Sequence, residues 1–186
     1  MYASAVGGGG LLTLPLLLIT GLPIHIALGT QRLAAVILEL ASAIKFHKEK
    51  MIDFKKALPL GVTAGLGALI GVNIVLAIDE KYLSLIMAIL LVLMFFLITN
   101  KHKLGLTERP MTRKHFLLLA FCSFLLGIWG GFFGPGFGAF IAILLVFFGF
   151  TFTGSAAISR VIGVFMSGVA ITFTPGSKYT YNPGIM

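Results

Sequence analysis

Five apolar stretches of about 20 residues each dominate this sequence: 24–44, 57–78, 81–99, 115–133 and 154–174. A helix of that length rises about 30 Å, the thickness of the hydrocarbon core of a bilayer. Composition points the same way. Of 186 residues, 58% are hydrophobic and only 11% charged, whereas soluble domains carry about 25% charged residues. Mean hydropathy is +1.05. A water-soluble core of this size cannot hide so much apolar surface. The sequence therefore predicts an all-α, polytopic membrane protein with the lipid bilayer as its first partner.

Two glycine-rich breaks interrupt this pattern. The first, Gly7-Gly8-Gly9-Gly10, precedes a short apolar run over 11–20, then Gly21-Leu22-Pro23, then a span carrying Gly29-Thr30-Gln31-Arg32. The second, Gly134-Pro135-Gly136-Phe137-Gly138, precedes a short run over 137–148, then Gly149, then a span carrying Ser159-Arg160. A constant offset of 128 maps Gly8 onto Gly136, Gly10 onto Gly138, Gly21 onto Gly149 and Arg32 onto Arg160. We read two copies of one membrane unit. Repeat 1 covers 1–56, two linking helices and a basic loop cover 57–113, and repeat 2 covers 114–186.

The net charge of +8 would suggest nucleic acid in a soluble chain. Here ten of the fourteen Lys and Arg residues fall in two loops, 45–56 and 100–114. Membrane orientation accounts for them, and no nucleic-acid partner is expected. Two spans separate the loops, so both lie on one side, and the positive-inside rule makes that side the cytoplasm of an inner membrane. If every segment crosses, the two copies are inverted, which is a transporter architecture. Re-entrant short runs would leave that parity open. The chain opens almost directly on its first break and ends where another span is expected to begin. The expectation is a chain truncated at both ends.

Four glycines in a row do not suit the middle of a helix, because each costs about 1 kcal/mol against alanine. They do let backbone approach a ligand. In lipid, unwound backbone is tolerated only inside protein or along a wet cavity. A helix that begins after such a break points free N–H groups and a positive dipole end into the gap, which suits an anion. Arg32 and Arg160 lie inside their spans, Arg32 about 12 Å deep. A buried guanidinium usually faces a cavity or a partner and matches oxyanion geometry. Gly8, Gly9, Gly10, Thr30, Gln31, Arg32, Gly134, Gly136, Gly138, Ser159 and Arg160 are the expected substrate-binding residues.

Glu39 is the sole acid inside a span. It lies seven residues after Arg32 on the same helix face. Two roles are open: pairing with Arg32, or carrying a coupling proton. Gly61-x-x-x-Gly65 and Gly67-x-x-x-Gly71 have the spacing that lets membrane helices approach closely, within the chain or in a homodimer. The four histidines lack metal-ligand spacing. No Ser–His pair or intramembrane Asp offers a catalytic set. The sequence predicts no enzyme, no metal and no cofactor.

Several of these segments resemble the sulfite exporter family (TauE/SafE type), also described as toluene-sulfonate uptake permeases. The resemblance rests on 7–15 (Gly-Gly-Gly-Gly-Leu-Leu-Thr-Leu-Pro), on Gly21-Leu22-Pro23, on Ala27-Leu28-Gly29-Thr30 and on 131–138 (Gly-Phe-Phe-Gly-Pro-Gly-Phe-Gly). It implies an inner-membrane permease for sulfite, sulfonates or related small anions, held near the two breaks and the two arginines. The chain departs from the family pattern in places. Ala3 and Gly130 stand where an Asp precedes each glycine motif, and Gln31-Arg32 stands for Asn-Lys. Phe137 replaces a Thr and Gly163 an Asn. A second reading, from another class, is a non-transporting membrane fragment or assembly subunit that pairs through the Gly61–Gly71 face.

Overall fold

The computed structural model describes residues 9–21, 23–79, 81–83, 85–90 and 112–173. Among them every regular element is an α-helix. These are α1 (Gly9–Ile19), α2 (Ile24–Lys48), α3 (Phe54–Ala77), α4 (Lys81–Leu90), α5 (Arg113–Phe132), α6 (Phe137–Phe147) and α7 (Phe152–Phe173). Helices α2, α3, α5 and α7 are long and apolar enough to cross a membrane. The chain is an all-α, multi-spanning membrane protein. Of the expected span over 81–99, the part after Leu90 lies outside the described residues, as do Gly8 and residues 100–111 of the second basic loop.

The first basic loop is shorter than its charges suggest. Helix α2 runs on through Lys48 and α3 starts at Phe54, so only 49–53 connects them. Lys45, His47 and Lys48 occupy the last turn of α2. There they face the negative end of the helix dipole, and their long stems carry the charge outward without breaking the helix. Asp53 caps α3 by accepting the Lys55 backbone N–H at 3.1 Å. Asp53→Ala is expected to cost about 1 kcal/mol. The check is a lowered midpoint of chemical unfolding in detergent.

Glycines decide how the spans meet. Gly61 and Gly65 of α3 face Phe165 and Val169 of α7. Gly67 faces Phe124 and Ile128 of α5, and Gly71 faces Ile128, Gly131 and Phe132. Gly127 and Gly131 return the contact to Ala64 and Ala68. Residue numbers rise together across both contacts, so α3, α5 and α7 run in the same direction. The Gly61–Gly71 face is filled from within the chain and is closed to a second molecule. The opposite face of α3 carries Leu58, Val62, Leu66, Ile70 and Ile74, all exposed, as a row of spacing four that suits lipid.

Helix α2 runs the other way. Its end leads into the start of α3, while Gln31 and Arg32, near its beginning, reach Gly134 and Gly131 at the end of α5. Helix α6 also turns back. Phe137 lies against Gly130 of α5, and Phe150, past the far end of α6, lies beneath Lys56 Nζ at 5.3 Å. Both α1 and α6 have 11 residues, about half of a membrane crossing. Helices α1 and α6 begin at residues 9 and 137, and α2 and α7 at 24 and 152. Both pairs are 128 apart, the offset found in the sequence.

The main core joins α3, α5, α6 and α7 around Leu60, Leu119, Ile141, Leu145 and Ile162. A second cluster joins α1, α2, α3 and α4 through Leu14, Leu28, Val75 and Met87, with Phe133 from the α5–α6 turn. The gap between α2 and the α5–α6 turn holds the polar residues.

Candidate anion-binding site

Between α5 and α6 the chain breaks because two glycines take left-handed backbone. Gly134 has φ 84° and Gly136 φ 81°. An L side chain there costs about 1–2 kcal/mol. Gly136 is the N-cap of α6 and supplies no side-chain acceptor. The backbone of Phe137 donates to Gly134 O, and Ala139 and Phe140 donate to Gly136 O. The N-terminus of α6, with its partial positive charge, opens on a cavity of about 120 Å³.

Two helices send polar side chains to this cavity. Gln31, Arg32 and Glu39 come from α2, Arg160 and Ser167 from α7, and Gly130, Gly134, Gly136 and Gly138 form the backbone wall. Arg32 is 3% exposed and Arg160 6%. Arg32 Nη2 donates to the Gly131 carbonyl at the end of α5. That bond fixes one edge of the guanidinium on the backbone next to the break. Gln31 is also buried, and its Oε1 has no hydrogen-bond partner among the described residues. This oxygen lies beside Gly134, 3.2 Å from where a Cβ would stand.

Glu39 has a different partner from the one its helix face suggests. Its Oε2 accepts the Ser167 hydroxyl at 2.9 Å, and its charge acts on Arg160 of α7. The carboxylate occupies the space beside Gly163, where any Cβ would overlap it. Spacing along one helix cannot reveal that α7 passes closer to the carboxylate than the next turns of α2 do.

The other expected binding residues divide. Thr30 is exposed and donates to Ile26 O at 2.9 Å. Ser159 is buried and donates to Ala156 O at 2.8 Å. Both hydroxyls are taken up by their own helices. Gly9 and Gly10 form the first turn of α1, and Gly8 lies outside the described residues. Ser167, Gly163 and the Gly131 carbonyl were not among the expected residues. For Ser167 a signal existed: it follows Glu39 by 128 residues. Among the described residues, no three His, Cys, Asp or Glu side chains gather as metal ligands would.

Comparison with known proteins gives the family of this chain. The sequence profile of the sulfite exporter TauE/SafE family matches residues 1–186. The chain belongs to the TauE/SafE family. It is 32% identical over 167 residues to a probable membrane transporter protein of Haemophilus influenzae, covering 88% of this chain and 64% of that one. It is 29% identical over 188 residues to the probable membrane transporter protein YfcA of Escherichia coli K12, covering 98% and 69%. For the probable membrane transporter protein ORF9 of a Sinorhizobium species the figures are 26% over 140 residues, 75% and 54%. The chain thus spans between 54% and 69% of the length of these three relatives. No solved structure matches it.

Proposed function

We propose that this chain forms the substrate-binding part of a permease for small oxyanions of the sulfite and sulfonate class. The observation that supports this reading is the meeting of two buried arginines, Arg32 and Arg160, at one cavity. They come from helices that run in opposite directions and stand 128 residues apart. Guanidinium groups match oxyanions through a planar fork of donors, and the start of α6 adds backbone N–H groups.

The two units, α1–α2 and α6–α7, act in this reading as inverted copies that rock about the site and open it to each side in turn. The basic stretches 45–56 and 100–114 face the cytoplasm of an inner membrane. The alternative of a subunit docking through the Gly61–Gly71 face gains no support, because α5 and α7 already fill that face. Uptake of sulfite or methanesulfonate into liposomes tests the proposal. Flux should exceed that of empty liposomes and fall to the empty level with Arg32→Ala plus Arg160→Ala. Equal flux in the double variant overturns it.

A further inference from the structure

We infer that Gln31 is a specificity-determining residue whose side-chain oxygen selects oxyanions that carry a hydrogen-bond donor of their own. The inference rests on the anion-site reading above and narrows the class of ligand. Gln31 is 4% exposed and lines the cavity together with Arg32 and the break at 134–138. Its Oε1 lies beside Gly134, 3.2 Å from where a Cβ would stand, and has no hydrogen-bond partner among the described residues. A buried carbonyl oxygen is nearly always paired, because an unmade bond leaves its lost hydration uncompensated. The break explains why the nearby backbone does not supply the donor. Pro135 has no N–H. The N–H of Phe137 goes to Gly134 O, and those of Ala139 and Phe140 go to Gly136 O. Glycine at 134 lets the amide come this close, since a Cβ there would press on its oxygen.

The chemistry of the ligand then decides the fit. The oxygens of a sulfonate or of a fully deprotonated sulfite only accept hydrogen bonds, and so does Gln31 Oε1. Such oxygens suit guanidinium N–H groups, but against Gln31 they set acceptor to acceptor. A ligand with an O–H or N–H beside its anionic oxygens satisfies both kinds of group at once. A site that holds a buried polar atom ready for a donor rejects the analogue without one, because that atom is then left unpaired. In this division of work the arginines hold the anionic oxygens and Gln31 reads the remaining substituent.

The experiment is a binding titration on the purified full chain in detergent at neutral pH. The probes are sodium sulfamate and sodium methanesulfonate. Both are monoanions of nearly one shape, and they differ by an NH2 in place of a CH3. All other contacts of the two arginines are common to both probes and cancel from the ratio of affinities. The wild-type chain is expected to prefer sulfamate by about tenfold, and Gln31→Met to bind the two about equally. Gln31→Glu keeps an acceptor at the same reach. It is expected to weaken both anions through its charge and yet keep the preference for sulfamate, which separates acceptor chemistry from general damage. A wild-type ratio near one, a preference that survives in Gln31→Met, or one that is lost in Gln31→Glu overturns the donor rule while the anion site stands. If both anions bind unchanged in Arg32→Gln plus Arg160→Gln, or neither binds the wild type, the anion site itself is overturned and the rule with it.

Discussion

A chain carrying Gly71→Leu is expected to lose its assembled fold and, with it, anion binding. The reason lies in what the missing Cβ would meet. At Gly71 it would overlap main-chain atoms of Ile128, Gly131 and Phe132, and at Gly67 those of Phe124 and Ile128. Backbone on both sides cannot rotate away as a side chain can. The axes of α3 and α5 would have to part. Overpacking a tight core typically costs about 1–3 kcal/mol, and a rigid helix–helix contact belongs at or above the top of that range. Small residues supply most of the packing between membrane helices, because lipid removes the hydrophobic drive between them.

The loss would not stop at α5. Gly131 faces Gly71 and Ala68 on one side, and its carbonyl accepts Arg32 on the other. Moving α5 outward therefore removes the anchor of a site arginine. The measurement is the fraction of monodisperse chain after detergent extraction, together with the unfolding midpoint. Leu66→Ala on the lipid-facing row serves as the comparison and is expected to stay within about 0.5 kcal/mol of wild type. A Gly71→Leu chain as stable as Leu66→Ala would show that the α3–α5 contact has room for a side chain at Gly71.

The membrane class and four of the five expected spans were legible because apolar length is a local property of the chain. So was the second break: the glycines at 134 and 136 do adopt positive φ, a conformation few other residues take at low cost, whereas Gly9 and Gly10 of the first are helical. The direction of helices was harder. It depends on whether short runs turn back, and only the contacts of Phe137 with Gly130 and of Phe150 with Lys56 answer that for α6. Side-chain partners were least legible. Glu39 and Arg32 share a helix face, but Ser167 and Arg160 on α7 supply the polar neighbours of the carboxylate. Thr30 and Ser159 stand next to site residues in sequence, yet a helix turns consecutive side chains about 100° apart. Their hydroxyls bond the preceding turn of their own helices. The 128-residue offset carried more tertiary information than any single motif, since applying it to Glu39 leads to Ser167.

Arg32→Lys is expected to stop anion flux even though it keeps the charge. The guanidinium of Arg32 does two jobs at once. One nitrogen donates to the Gly131 carbonyl, and the group still lines the cavity. A lysine has a single ammonium head on a flexible stem and cannot hold both directions in a fixed plane. It would satisfy the buried carbonyl or the anion. Losing one side of a buried, hydrogen-bonded charge contact costs about 2–5 kcal/mol, which corresponds to a loss of about thirtyfold or more in binding. Arg160→Lys is expected to be milder. Glu39 stands nearby as a fixed counter-charge, and a point charge can still serve a carboxylate. Initial rates of methanesulfonate uptake, measured below half-saturation in liposomes with equal amounts of each chain, separate the two variants. Equal, small losses would mean that the site needs only two positive charges, and that the bond from Arg32 to Gly131 serves the fold rather than the anion.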